Sequence, residues 1–194
     1  WGNGRMAIAT QRMTLAEYLE SANETDTRYE LENGELLEMP PESDLNQRIA
    51  SFLFAFFLQQ GVPAYRLRIG IEIVVSGRRP TARIPDLAIL SEELATALEG
   101  ARRSTVTVDM PPPELVVEVV SPGQEKRDYR YKRSEYAARG IVEYWIVDPG
   151  QQQVTILEWV EGLYEEEVYR EQAELRSPLF GPLNLTITQL FQAR

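Results

Sequence analysis

Apolar positions change their spacing along the chain, and each change marks an element. Leu115–Val120 is an almost unbroken β-branched run, the pattern of a strand covered on both faces, and Ser121-Pro122-Gly123 ends it. Glu125–Arg139 is long and charged, with Tyr129, Tyr136 and Ala137 as its bulk and Gly140 where a helix C-cap belongs. Glu143–Val147 is a second apolar strand, closed by Asp148-Pro149-Gly150. This strand, turn, helix, strand unit between Pro113 and Pro149 is the centre of the chain.

The flanking pattern extends it. Residues 1–13 carry little pattern. Thr14-Leu15-Ala16-Glu17 is a capping box and predicts a helix over Leu15–Ser21, followed by a polar linker at 22–28. Tyr29–Met39 reads as a hairpin turning at Asn33-Gly34. Ser43 or Asp44 caps a helix over Leu45–Gln60, closed by Gly61. Ile49, Leu53, Phe56 and Phe57 form one stripe of that helix, but Phe52, Phe54 and Leu58 lie off it, which predicts cover on a second face, read here as another subunit. Tyr65–Val75 alternates as a strand, Gly77–Arg83 reads as a turn, Ile84–Leu90 as a strand and Ser91–Glu99 as a short helix. Residues 101–109 form a connection. Gln153–Val160 and Leu163–Tyr169 pair as a hairpin around Glu161-Gly162, and Thr188–Phe191 is a last short segment. The order predicts one mixed α/β sheet with helices packed on it.

Composition narrows the chemistry. The 194 residues, 43% hydrophobic, suit one domain over 14–194 with a loose segment at 1–13. The longest apolar cluster, Ile49–Leu58, is too short for a membrane span and is interrupted by Ser51, and no charged-then-apolar leader opens the sequence, so the expected setting is cytoplasmic without membrane association. With neither Cys nor His, disulfides, thiolate metal sites, His-based triads and His-bound zinc are excluded. Thirty acids against twenty bases give a net charge of −10, which argues against broad non-specific nucleic-acid binding; the bases do cluster at Arg66/Arg68, Arg78/Arg79/Arg83, Arg102/Arg103 and Lys126–Arg133.

Any hydrolytic chemistry must then rest on carboxylates, Lys, Tyr or a hard cation. Glu118 stands between Val116, Val117, Val119 and Val120, where an acid is expensive unless it is paired or binds a cation. Asp86 opens the preceding core strand. Two carboxylates on neighbouring strands, with the Val119 carbonyl beside them, suit Mg²⁺. Asp128, Lys132 and Tyr136 share one helix face by their spacing of four, and Lys132 could orient a water there. Plainer roles are available: Asp86 as a turn cap, Glu118 paired with an arginine, Lys132 paired with Asp128, Tyr136 as core packing and Glu35 as a hairpin surface acid.

Pro85-Asp86 followed by Glu118-Val119-Val120 resembles the PD-(D/E)XK nuclease signature. With Tyr29-Glu30-Leu31, Gly34-Glu35, Val117–Pro122, Tyr131-Lys132, Gly140 and Glu143–Pro149, the chain from Thr14 to Phe191 resembles the Uma2 family, also called DUF820. The resemblance implies a restriction-endonuclease-like α-β-β-β-α-β core, here with an N-terminal β-hairpin and a C-terminal β appendage. It also implies cleavage of DNA with Mg²⁺ or Mn²⁺. By position Asp86, Glu118 and Val119 take the metal and Lys132 replaces the signature lysine, since Val120 stands two residues after Glu118. The first-helix acid has no direct counterpart; Glu35, Glu42 or Asn46 could fill its place, with Tyr136 in support. The expected function is a metal-dependent endonuclease acting as a homodimer. The alternatives are a non-catalytic homodimeric scaffold or regulatory protein retaining the fold, or a small-nucleotide phosphodiesterase.

Overall fold

The structure, a computed structural model, describes residues 12–21 and 28–192; the segment 1–11 and most of the expected polar linker lie outside the described residues. Helix α1 (Leu15–Glu20) begins with the capping box read from the sequence, Thr14 and Glu17 exchanging hydrogen bonds. Strands β1 (Tyr29–Glu32) and β2 (Glu35–Glu38) pair antiparallel about Asn33 and Gly34, both at positive φ (51° and 86°), as a two-residue hairpin turn requires. A side chain at Gly34 would also stand 2.9 Å from the Met13 carbonyl, so this glycine answers to both turn and packing.

Helix α2 (Asp44–Gln59) is capped by the Ser43 hydroxyl. After a 3-10 turn come β3 (Leu67–Arg68), β4 (Glu72–Ser76), β5 (Thr81–Arg83), β6 (Leu87–Ile89), α3 (Glu92–Ala97), β7 (Thr105–Val106) and β8 (Leu115–Val119). A π-helical segment, Arg127–Lys132, runs into α4 (Arg133–Arg139), which Gly140 ends in the left-handed conformation. Strands β9 (Glu143–Asp148), β10 (Gln153–Val160), β11 (Leu163–Arg170), β12 (Glu174–Ser177) and β13 (Gly181–Thr186) follow, then α5 (Ile187–Gln192).

The expected single sheet is instead three. The largest has the order β11-β10-β9-β8-β6-β3, antiparallel except for the parallel pair β8/β9 that α4 connects. Within it α2, β3, β6, β8, α4 and β9 supply the α-β-β-β-α-β order expected from the resemblance. A second sheet, β2-β1-β5-β4-β7, joins the hairpin to the middle of the chain, and β12/β13 form a ribbon of their own. The strand expected over Tyr65–Val75 is broken: Gly70, at φ 75°, turns the chain so that β3 and β4 enter different sheets. The expected turn at 77–83 ends in β5, whose Arg83 is fully buried.

Two apolar layers cover the faces of the six-stranded sheet. Leu115, Val117 and Val119 of β8, with Trp145 and Val147 of β9, face Leu53 and Phe57 of α2 and Leu183, Leu185 and Leu190 of the C-terminal ribbon and α5. Val116 and Val120 with Tyr144 and Ile146 face Tyr136 and Ala137 of α4, Leu94 of α3 and Ile73 of β4. The two-residue period of the strands therefore decides what each residue meets. Phe52 and Phe54 are half-buried against the first layer, as are Phe180 and Phe191 from the C-terminal end, and Phe180 lies 5.4 Å from Phe57 between ring centres. The chain's own C-terminal elements thus share in the cover of α2 assigned from sequence to a second subunit, while Leu58 stays 39% exposed.

Candidate active site

Glu118 is even-numbered on β8 and so shares the α4 face with Val116 and Val120. On β6, Leu87 pairs with Val117 and Ala88 with Val116. Continuing this antiparallel register by one residue sets Asp86 opposite Glu118 on the same face. The Asp86 N–H donates to the Val117 carbonyl (3.1 Å), and Asp86 Oδ2 accepts the Val119 N–H (2.6 Å). Pro85 keeps the chain extended up to this point but withholds one ladder donor, so the strand proper starts after Asp86 and leaves its carboxylate at the sheet end.

The helix brings the cation. Lys132 Nζ donates to Glu118 Oε2 (2.8 Å) and lies 3.0 Å from Asp128 Oδ1; the Tyr136 hydroxyl donates to Glu118 Oε1 (2.6 Å). Asp128, Lys132 and Tyr136 do share one face. All three are buried, and the stretch carrying the first two is π-helical rather than the regular helix expected, a form that recurs at functional sites. The plain and the functional readings of these residues coincide: Lys132 pairs with Asp128 and Glu118 together.

Glu30 on β1 is fully buried behind this group. It accepts the Ile84 N–H (3.0 Å) and an Arg83 Nη1–H (3.2 Å). Arg83 also makes a two-pronged contact with Glu135 (2.7 and 2.8 Å) and bonds Glu32 (2.8 Å), which Arg127 reaches as well (3.1 Å). Three carboxylates around one guanidinium tie the hairpin sheet to the helix that carries Lys132. Sequence reasoning gave Glu30 and Arg83 no role. The only trace was Glu30 inside the Tyr29-Glu30-Leu31 run, where the neighbouring Leu31 is also buried.

Burial pushes the Asp86 carboxyl up to about 7, the Val119 N–H opposing and the neighbouring Glu42 adding to the rise. Burial likewise raises Glu118, against the pull of Lys132 and with Asp128, Asp86 and Glu30 adding. For Lys132, burial works toward the neutral amine, but Glu118, Glu30 and Asp128 outweigh it and hold the ammonium above its ordinary range. Lys132 is therefore a charged donor and not a base.

Asp86, Glu118, Val119, Asp128 and Lys132 line a pit of about 30 Å³, with Glu42, Arg127 and Arg28 around it. One Glu42 carboxylate oxygen is buried with no hydrogen-bond partner. It shares the pit with the Asp86 and Glu118 carboxylates, oxygen donors of the kind a hard cation takes, and with Arg28, Arg127 and Lys132. Among the described residues no group of three or more Asp, Glu, His or Cys side chains is placed to hold a metal ion. Asn46, at the start of α2, donates to the Val119 carbonyl (3.3 Å) and to Ser121 Oγ (3.0 Å), so it braces the expected carbonyl ligand instead of facing the pit. Glu35 is not brought to the site: it pairs with Arg12 on the far side of the hairpin turn.

These positions can now be set beside known proteins. The model of the Uma2 family, described as "Putative restriction endonuclease", matches residues 15–189. The chain belongs to the Uma2 family. A crystal structure from Anabaena variabilis ATCC 29413, described as "a putative nuclease belonging to DUF820", matches this Uma2 chain with a TM-score of 0.73 and 20% identity, over 92% of this chain and 97% of that one. At that identity the likeness is one of fold. None of the curated proteins matches the chain. No helix among the described residues is long and apolar enough to cross a membrane.

Proposed function

We propose that this Uma2 protein hydrolyses phosphodiester bonds of DNA with a divalent cation, Mg²⁺ or Mn²⁺, at the Asp86–Glu118 pit. The observation that carries the reading is the juxtaposition of Asp86 and Glu118 on one sheet face, with Lys132 on Glu118 and an unpartnered buried Glu42 oxygen beside Asp86. Asp86 and Glu118 would take the two carboxylate roles, with the Val119 carbonyl as a further oxygen ligand. A cation bound there polarises a phosphoryl oxygen and lowers the pKa of a coordinated water. Lys132, kept charged by its acids, donates toward the attacking water or the phosphoryl oxygen and stabilises the negative charge that grows there. Tyr136 and Asp128 hold Glu118 and Lys132 in place. Arg28, at the rim, is within reach of a neighbouring phosphate.

Calorimetric titration of Mn²⁺ and Mg²⁺ into the wild type and Asp86→Asn tests the reading. Binding by the wild type that weakens at least tenfold in the variant is expected. Equal affinity in both would place the cation elsewhere and remove Asp86 from its role.

A further inference from the structure

A second recess opens directly beside the pit. It measures about 250 Å³, and Gln47, Ala50, Ser51, Ile69 and Pro85 line it together with Asp86, Glu42 and Arg28. Asp86 belongs to both spaces, so a group joined to a phosphate at the pit enters this recess within one nucleotide's length.

Its walls differ in kind from those of the pit. The recess mixes the apolar side chains of Pro85, of Ile69, which is 57% exposed where Gly70 turns the chain, and of Ala50 on α2 with the Gln47 amide and the Ser51 hydroxyl, which the same helix carries beside Ala50. Among the described residues neither side chain has a hydrogen-bond partner. Arg28 is the positive charge of the recess, set against the carboxylates of Asp86 and Glu42. Apolar side chains beside two neutral polar groups, with two acids in the lining, suit a flat heteroaromatic ring better than a phosphate.

The protein around it points the same way. A net charge of −10 disfavours tracking of a duplex backbone through phosphates alone, so contact with the base as well as the phosphate, as in single-strand recognition, fits this chain better.

On the reading given under Proposed function, we infer that this recess is a base-binding subsite, which receives one unstacked nucleobase next to the scissile phosphate of single-stranded DNA. Ile69 and Pro85 pack against the ring, and Gln47 and Ser51 meet its polar edge. A free nucleotide shares this chemistry; single-stranded DNA differs from it in offering flanking phosphates to Arg28.

The test has two arms. In the first, binding of a thymidine hexanucleotide and of the same length of abasic strand is measured with Ca²⁺ in place of the catalytic cation. The wild type is expected to favour the base-bearing strand by on the order of tenfold or more. Ile69→Ser and Gln47→Ala, both at exposed positions, should bring that ratio toward one. Equal binding of the two strands by the wild type, or an unchanged ratio in the variants, overturns the subsite. Thymidine monophosphate binding as tightly as the hexanucleotide would overturn the choice of a strand in favour of a free nucleotide. In the second arm, Mn²⁺-dependent hydrolysis of thymidine 5′-(p-nitrophenyl) phosphate is compared with that of bis(p-nitrophenyl) phosphate, which has no base. Failure of the subsite leaves both esters cleaved at similar kcat/KM. Failure of the hydrolytic reading leaves neither cleaved, and the binding arm still decides the subsite.

Discussion

The Lys132 ammonium lies 2.8 Å from Glu118 Oε2, both side chains almost wholly buried. Glu118 comes from the middle of the six-stranded sheet and Lys132 from the helix that crosses from β8 to β9. A buried ion pair of this kind contributes little net stability, because desolvation offsets the attraction. Here the pair also has Asp128, Tyr136 and Glu30 around it, and it opens on one side to the pit at Asp86.

The raised acids set a pH dependence of stability. The folded-state pKa of Asp86, about 7, lies above its ordinary value of 3.8, and Glu143 is shifted in the same direction, both chiefly by burial. The folded chain thus holds protons that the unfolded chain has released, and stability falls as pH rises from about 4 through 7. Glu30 and Glu32 are shifted down by Lys132, Arg83 and Arg127, so their contribution is present above their ordinary range and lost in stronger acid. Thermal melts in chelator should show a midpoint several degrees lower at pH 8 than at pH 5.5, at about 2–4 °C per kcal/mol. Asp86→Asn should flatten that slope, and added Mn²⁺ should shrink it in the wild type. A midpoint that rises from pH 5.5 to 8 would contradict the assignment.

The carboxylates around Arg83 make a sharper mutational case. Arg83→Met leaves buried Glu30 with only the more distant Arg127, at 4.0 Å, as an arginine partner and should cost about 3–5 kcal/mol by denaturant unfolding. Glu30→Gln keeps the acceptor for the Ile84 N–H. The double variant should therefore be less destabilised than the sum of the two singles, with a coupling of at least about 0.5 kcal/mol. Strict additivity would mean that the two residues do not act together.

Phe57 reports on the other layer. It is fully buried, 5.6 Å from Trp145 and 5.4 Å from Phe180 between ring centres, and so joins α2 to the sheet and to the C-terminal ribbon. Phe57→Ala should destabilise by about 3–5 kcal/mol. A loss under 1 kcal/mol would show that the C-terminal cover of α2 is not in place in solution.

Much of this was legible in the chain, and the failures have physical causes. Thr14/Glu17, Asn33-Gly34 and Gly140 are local signals, and the structure honours each. The alternation Leu67, Ile69, Ile71, Ile73, Val75 has a perfect strand period, but one positive φ at Gly70 turns the chain and leaves Ile69 outside. Arg83 looked like part of a turn because a charge is usually solvated, and the three acids that let it be buried come from two distant segments. The ribbon β12/β13 is short and buries only alternate residues such as Leu175, Leu183 and Leu185, too weak a period to stand out. At the candidate site, Glu118 could be found from an acid's cost inside an apolar strand, Asp86 from its place after Pro85 at a strand start, and Lys132 from its spacing of four with Asp128 and Tyr136. Glu30 needed the fold, because nothing local distinguishes it from the exposed acids of the same hairpin.

The most direct test of the account is the rate at which the protein nicks circular DNA, single-stranded and supercoiled, in Mn²⁺, compared among the wild type, Asp86→Asn and Lys132→Met. Metal-dependent nicking by the wild type that falls at least a hundredfold in both variants, with the variants still folded by circular dichroism, is the predicted result. Nicking that persists in Asp86→Asn and Lys132→Met, or no hydrolysis by the wild type although it binds both Mn²⁺ and DNA, would contradict it.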